Sequence, residues 1–597
     1  MYPKGIFDQG RVNILKTMIK RKLLEHFMAT FDGIRIFYRA WLPDTPTDKA
    51  VILFHRGHEH SGRWDGLIDA LASDDAAVFA WDARGNGRSE GPRDDAENFG
   101  VYAKDADIFV RHLSSTYHIP IENMIVVGHS VGAAVVATWV HDYAPRIRSM
   151  VLATPAFKIR LYIPFAIPLL RLGLKWRIIK TVPSYVKAQV LTHDPKEQEI
   201  HNRDSLITHS ISTRILLDLF DTSTRIIDDA GAIQVPTLIL VATNDWVVDT
   251  GAQKKFFQRL GSVNKKVEYL HGFFHDVFHE KEREQPLRLT RDFIEKAFKE
   301  SVSDQTLLQA DKKGFTKDEY EQLKQSLVLF SLKGLFFSLL KIFLATFGRL
   351  SYGIRLGWES GFNSGRTLDY VYANKVRGSF VVGRWFDRFY LGGIGWKGIR
   401  VRKALLEEIL KKMIQEASKE NRPVYLLDIA TGAGRYILET ISALKHLEIQ
   451  AVLRDFEPKN LAEGQKRAHQ LNLDNVLFIQ GDAFDRKSIA YHRPRPHIVV
   501  VSGLYELFPS NEMVLNSLQG IAEVIAPGGI LIYTNQPWHP QLELIARILC
   551  DWDGKPWIMR RRTQAEMDEL VVSVGFEKMG MDIDPWGIFT VSWAQRV

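Results

Sequence analysis

The stretch MIVVGHSVGAAVVATWV, residues 124–140, decides how the first half of the chain is read. Four apolar residues of strand type run into Gly128, His129, Ser130, Val131 and Gly132, and a helix-like apolar segment follows. A G-x-S-x-G pattern in that setting is a nucleophile elbow, in which glycines let strand and helix approach while the serine is held out on a sharp turn. Alone, the five residues also fit a glycine-flanked serine in an ordinary tight turn, so the weight falls on their surroundings.

Those surroundings alternate short apolar runs with helix-length segments: GIRIFYRAWLP, AVILFHRG, AAVFAWDARG, RSMVLATPA, PTLILVATND and KVEYLHGF. That rhythm predicts a mostly parallel sheet wrapped by helices, an α/β fold. Serine is a poor nucleophile unless a histidine takes its proton and a carboxylate fixes the histidine's tautomer. The acid should follow the serine and the histidine should come last. Asp245 lies just past TLILVATN, with Asp249 as its rival, and His275 follows KVEYLHGFF, with His271 and His279 as rivals. A tetrahedral intermediate also needs two N–H donors for its oxyanion. Val131, after the nucleophile, supplies one. The other is assigned to Gly57 in HRGHEHSGR (55–63), the polar loop after the strand AVILF. The three histidines there first suggest a metal, but His58 and His60 sit two apart and no downstream pair at zinc spacing completes a tetrahedron. No metal is expected.

At 597 residues the chain exceeds a single core, and 46% hydrophobic with 25% charged residues is the composition of folded domains. One cysteine, Cys550, excludes a disulfide framework and fits a reducing, cytoplasmic setting. A net charge of +8 is small for this length, and no nucleic-acid-binding pattern accompanies it. Lys16, Lys20, Arg21 and Lys22 interrupt any signal-peptide core, so no export is expected. The layout reads as a basic segment at 1–25, a first domain at 26–298 with a helical cap at 156–233, a linker and apolar helix at 299–365, and a second domain at 366–597. In the linker, Thr316 and Glu319 have capping-box spacing.

HRGHEHSGRW, WDARGNGRSEG, GHSVG, ATNDWVVD and FFHDVFHE resemble the monoglyceride lipase and lysophospholipase branch of the α/β-hydrolases, over roughly 26–298. In that family the loop usually reads H-G-x-G-E-H-S-G-R, so Arg56 and His58 stand where glycines are usual. The resemblance implies a lipid-like acyl ester as substrate, and the apolar LYIPFAIPLLRLGL of the cap is similar to the family's lipid-admitting caps.

In the second half, LLDIATGAGRY (426–436) ends a strand with an acid and a glycine turn. A dinucleotide fingerprint would want glycine or alanine at 437, which is isoleucine. Asp455 and Asp482 end the next two apolar runs, with Glu457 an alternative to Asp455. Acids at three successive strand ends suit a ligand across the carboxyl edge that carries an ammonium, a ribose diol and an adenine amine. With APGG (526–529) and DPWG, the set resembles the class I S-adenosylmethionine-dependent methyltransferases, a Rossmann-like fold. That resemblance implies that Asp428 faces the methionyl part, Gly432 and Gly434 admit it, Asp455 holds the ribose and Asp482 reads the adenine. Trp538 and His539, in NQPWHPQ, are candidates for the methyl-acceptor site; a surface turn is the alternative. Arg560, Arg561 and Arg562 are either a phosphate grip or solvated charges.

The order of the halves, with DYVYANK and GWKGIRVRK between them, resembles bacterial bifunctional α/β-hydrolase/class I methyltransferases. The expected function is therefore ester hydrolysis on a lipid-like substrate plus methyl transfer, in lipid metabolism. The alternative keeps methyl transfer and makes the first domain a lipid-binding module without turnover. Residues 326–350, SLVLFSLKGLFFSLLKIFLATFGRL, approach the roughly 20 apolar residues of a bilayer span. Lys333 and Lys341 fall inside it, each costing about 2.5–3.5 kcal/mol in a bilayer centre, so peripheral contact is expected; a helix packed between domains is the alternative. Basic residues from Lys375 to Arg402, interleaved with Trp385, Phe386, Phe389, Tyr390 and Trp396, suit an anionic lipid surface.

Overall fold

The runs AVILF, AVFAW, MIVVGH, SMVLA and TLILVA are buried at every position, as strands covered on both faces must be. The computed structural model describes residues 21–184, 186–300, 306–328, 330–420 and 423–597. The first sheet comprises β1 (Lys22–Ala29), β2 (Arg35–Leu42), β3 (Ala50–Phe54), β4 (Ala77–Trp81), β5 (Met124–His129), β6 (Ser149–Ala153), β9 (Thr237–Ala242) and β10 (Lys265–Leu270). Their spatial order is β1-β2-β4-β3-β5-β6-β9-β10. From β4 to β10 every pairing is parallel, whereas β1 and β2 run antiparallel at the edge. This is the α/β-hydrolase fold. It starts earlier than expected, since β1 occupies residues assigned to the basic segment; Lys16 and Lys20 lie outside the described residues.

Between β6 and β9 the cap consists of helices Ala166–Lys175, Ala188–Leu191, Pro195–Arg203 and Thr213–Asp228, with a small hairpin of β7 (Thr181–Pro183) and β8 (Ser210–Ser212). The second sheet holds β11 (Val424–Asp428), β12 (Ile449–Asp455), β13 (Val476–Gln480), β14 (Ile498–Val501), β15 (Ile530–Asn535), β16 (Phe576–Ile583) and β17 (Thr590–Arg596). Its order is β13-β12-β11-β14-β15-β17-β16, parallel up to β15 and antiparallel thereafter. The crevice where strand order reverses lies between β11 and β14, the place such sheets bind ligands.

The expected linker is part of the second domain. Leu308 packs on its core, and Thr306 donates to Glu569 at 2.7 Å. Helix Phe315–Lys324 begins before Thr316, so no capping box forms. Thr316 and Glu319 instead meet Arg560 (3.1 Å) and Arg561 (2.5 Å). The three consecutive arginines are buried, not solvated, and they grip protein. Arg560 pairs with Glu566 at 2.6 Å, and Arg562 donates to the Tyr505 carbonyl at 2.6 Å.

Arg561 also reaches across to the first domain, pairing with Asp229 at 2.6 Å. Asp229 meets His141 at 2.8 Å, His141 meets Asp142 at 2.7 Å, and Asp142 meets Arg225 at 2.5 Å. All five side chains are buried. Beside this chain of charges, Met581 of β16 joins the hydrolase core, and Lys104 pairs with Asp582. Breaking a buried ion pair from one side costs about 3–5 kcal/mol. Arg561→Leu is therefore expected to lower the unfolding midpoint of the full chain markedly in a thermal or urea scan; an unchanged midpoint would show that this network does not hold the domains together.

Candidate active site

The elbow is as tight as its glycines allow. A Cβ on Gly128 would stand 2.6 Å from the Ala133 Cα, and one on Gly132 would stand 2.4 Å from the His55 carbonyl oxygen. Ser130 consequently sits at φ 53°, a left-handed conformation rare outside glycine, at the head of helix Val131–Tyr143. Its Oγ is 2.7 Å from His275 Nε2, and His275 Nδ1 is 2.7 Å from Asp245 Oδ2. Asp245 Oδ1 accepts from the Val247 and Val248 N–H groups at 2.8 and 2.9 Å. Burial pushes the Asp245 carboxyl up, but His275 and these two donors outweigh it, and the net displacement is downward.

Asp249 and His279 are otherwise occupied. Asp249 caps helix Thr250–Arg259 by accepting from the Gly251 N–H at 2.9 Å. His279 is buried between Asp276 and the Arg63 carbonyl, both at 2.8 Å, and His271 is exposed. Gly57 touches the elbow, since a Cβ there would come within 2.9 Å of Val131 Cγ2. Among the described residues, neither the Gly57 nor the Val131 N–H donates to an acceptor.

The other members of the 55–63 loop hold its shape. His55 Nε2 accepts from the Ala83 N–H at 2.9 Å, His60 meets Asp204 at 2.9 Å, and Arg63 meets Glu197 at 2.9 Å. The two residues standing where the hydrolase pattern has glycine are both held by neighbours. Arg56 pairs with Glu59 at 2.8 Å. His58 has a left-handed backbone (φ 68°), and its ring meets Asp94 and Thr208, both at 3.1 Å. Above Ser130 and His275 opens a cavity of about 390 Å³ walled by Trp81, Val135, Ile159, Leu169, Leu170, Ile215, Leu216 and Val247. Its wall is mostly apolar, with Arg56, His58, Asn86 and Asp94 among the polar residues on it.

In the second domain Gly432 (φ 59°) and Gly434 (φ 65°) both need left-handed backbone, and Gly434 leads into helix Arg435–Ala443. Asp455, at the end of β12, accepts from the Gly432 N–H at 2.8 Å. Asp482 is exposed beyond β13, with one oxygen on the Phe484 N–H at 2.8 Å. Glu457 is a helix cap. Asp428 is fully buried, bonded to the Tyr436 hydroxyl and to the Ala430 N–H at 3.2 Å, and burial pushes its carboxyl up to about 7. Its two oxygens are thus both held within the chain.

Trp538 lies in the domain contact, with the Arg225 guanidinium 5.6 Å over its ring. His539 is buried beside Gly395, where burial pushes its imidazole down to about 4. Two features escaped the sequence reading. Phe456, next to Asp455, is 73% exposed at the strand edge. Past β14, Glu506 forms a buried pair with Arg402 at 2.7 Å, while its Oε2 has no partner among the described residues. An apolar residue directly after a strand-end acid, and the acid in SGLYE, were the available signals.

A family model described as "Putative methyltransferase" matches residues 290–596. The chain belongs to this putative methyltransferase family. The Escherichia coli (strain K12) protein called "Uncharacterized protein YnbC" is 45% identical over 575 residues, 96% of this chain and 98% of its own length. A second model, "Serine aminopeptidase, S33", matches residues 45–282. Over this region phospholipase YtpA of Bacillus subtilis (strain 168) is 26% identical, covering 43% of this chain and 98% of the relative. The monoacylglycerol lipase of Mycolicibacterium smegmatis is 26% identical, covering 45% and 95%. This member of the family thus carries a lipase-like hydrolase domain ahead of the region that the methyltransferase model matches.

The two aspartates of the β9 loop separate experimentally. Asp245→Asn is expected to lower ester hydrolysis by about 10⁴, because the histidine would lose its orienting acceptor. Asp249→Ala should keep the rate and lose about 1 kcal/mol of stability, as for a missing helix cap. Rates with a p-nitrophenyl ester and thermal midpoints for both variants decide; equal rates would sink the assignment of Asp245.

Proposed function

We propose that the protein carries two activities: hydrolysis of a lipid-like acyl ester by Ser130, and methyl transfer from S-adenosylmethionine in the second domain. The observation that carries the first is the 2.7 Å spacing along Ser130, His275 and Asp245 at the floor of an apolar cavity. His275 takes the Ser130 proton as Oγ attacks the acyl carbonyl, and Asp245 holds the imidazolium that forms. The Gly57 and Val131 N–H groups stabilise the oxyanion. The alcohol leaves with the proton from His275, and water then releases the acid by the same relay. The relatives named phospholipase and monoacylglycerol lipase support a monoacylglycerol or lysophospholipid as substrate.

For the second activity the residues fit S-adenosylmethionine. Left-handed Gly432 and Gly434 keep the turn free of side chains, Asp455 is in reach of a ribose diol, exposed Asp482 accepts from an adenine amine, and Phe456 offers a ring face to the base. When bound, the cofactor supplies an electrophilic methyl group. We assign the methyl acceptor to the crevice between β11 and β14, where the unpartnered Glu506 oxygen would accept a hydrogen bond from its amine or hydroxyl. Both substrates would be reached through peripheral contact with the cytoplasmic membrane face, within lipid metabolism.

Ser130→Ala is expected to abolish fluorophosphonate labelling and reduce ester turnover by several orders of magnitude, with S-adenosylmethionine binding unchanged. Wild-type turnover in this variant would end the hydrolase reading. Because residues 306–365 belong to the second domain's body, cofactor binding is best measured on the full chain. Calorimetry should show Asp482→Ala weakening it by about 1.5–3 kcal/mol, the worth of a hydrogen bond to a charged carboxylate; no binding by wild type would defeat the cofactor assignment.

A further inference from the structure

A helix on a water-soluble body normally turns its apolar stripe inward. Helix Leu332–Ala345 does the reverse. Leu332, Leu335, Phe336, Leu339, Ile342 and Phe343 recur at helical spacing and are 90, 52, 57, 58, 60 and 41% exposed. The opposite edge holds the helix to the second domain. Lys333 pairs with Glu543 at 2.7 Å, and the Leu344 carbonyl accepts from the Trp358 indole at 3.2 Å. Lys333, read from sequence as a lipid-facing charge, therefore serves to dock the helix.

Its 14 residues reach about 21 Å at 1.5 Å each, short of the roughly 30 Å of a hydrocarbon core. The chain then bends by 116° between Leu332–Leu350 and Tyr352–Ser360, and among the described residues no single helix is long and apolar enough to cross a membrane. A second helix, Phe380–Leu391, extends the same surface. Phe343 meets Phe386 edge-on at 5.8 Å, and Phe380, Val381, Trp385 and Phe389 are 84, 83, 62 and 78% exposed.

The charge around these two helices is mostly positive: Glu359 is the exposed carboxylate of the stretch, and Glu543 beside it is taken up by Lys333. Lys341, Arg349, Lys375, Arg377, Arg384 and Arg388 are exposed, and among the described residues their side chains form no ion pair. The only carboxylates from 326 to 392 are Glu359, Asp369 and Asp387. Asp369 pairs with Arg435, and Asp387 is buried under Ser351, Gly353 and Arg377. Arg402, from the expected basic set, is withdrawn into its pair with Glu506.

We propose that this two-helix face docks on an anionic lipid bilayer, its apolar stripe at the acyl boundary and its arginines and lysines among the headgroups. Apolar burial plus attraction to anionic lipid is what holds an in-plane helix at an interface. The inference locates the peripheral contact proposed above and depends on neither catalytic assignment.

The test is flotation of the full chain with vesicles of phosphatidylcholine alone or mixed with phosphatidylglycerol. Wild type is expected to float with the mixed vesicles and to be released by salt. Phe336→Ser with Leu339→Ser should lower the bound fraction roughly tenfold or more, and Arg384→Glu with Arg388→Glu should remove the preference for phosphatidylglycerol. Their thermal midpoints should match wild type, since all four side chains are exposed. Phe165→Ser with Trp176→Ser, on the exposed cap surface, is the control. Three outcomes would overturn the proposal: no flotation with either vesicle; flotation lost only in the cap variant; or a dimer that the Phe336/Leu339 variant converts to monomer, without vesicle binding. The first would leave fluorophosphonate labelling intact, so it is distinguishable from failure of the hydrolase reading.

Discussion

The contact between β5 and the helix that follows it constrains the whole first domain. With no side chains at Gly128 and Gly132, that helix presses against the ends of β3 and β5, and the turn between them has room for one conformation of Ser130. The same pressure brings Val131 against Gly57, so Ser130 and both free N–H groups are positioned by one packing event. The imidazole and its carboxylate come from the ends of β10 and β9, adjacent strands in parallel register. Rigid elements thus carry every group, which is how a site keeps its geometry without a ligand.

That helix has a second role at its other end. His141 and Asp142 lie in its last turn and begin the buried relay of charge that ends at Arg561 of the second domain. Taking so many ionic groups out of water is costly, and such a network contributes chiefly when every member is satisfied. Here each cation meets a carboxylate and each carboxylate meets a cation. The directional bonds leave the domains one way to fit, and the apolar contact of Met581 adds the non-directional part.

Ser130, Asp245 and His275 could be singled out from sequence because each stands just past a strand-like run, a local signal, and the structure brings the three within hydrogen-bond distance. What escaped were features decided by partners distant in sequence. Arg561 looks like a solvated charge until Asp229, 332 residues away, is beside it. Trp538 follows a strand end as acceptor-binding residues do, yet Arg225 of the other domain lies over its ring. Asp428 occupies the expected motif position, but its bond to the Tyr436 hydroxyl, eight residues on, depends on where the next helix is placed. The end of the helix at Ala345 was hidden for the opposite reason: apolar content is continuous through 326–350, and the 116° bend comes only after Leu350.

The relay between the domains also bears on how such a chain can be inherited. A hydrolase and a methyltransferase joined by a loose tether could be recombined freely, each half exchanged for a cousin. Here a cut between the halves would leave Asp229 without Arg561 and the apolar side of β16 facing water. An exchanged half would have to bring a matching carboxylate or guanidinium with it. The two sequences are therefore bound to drift together at these few positions, and a gene split at this boundary would encode two fragments, each with an exposed interface that needs the other.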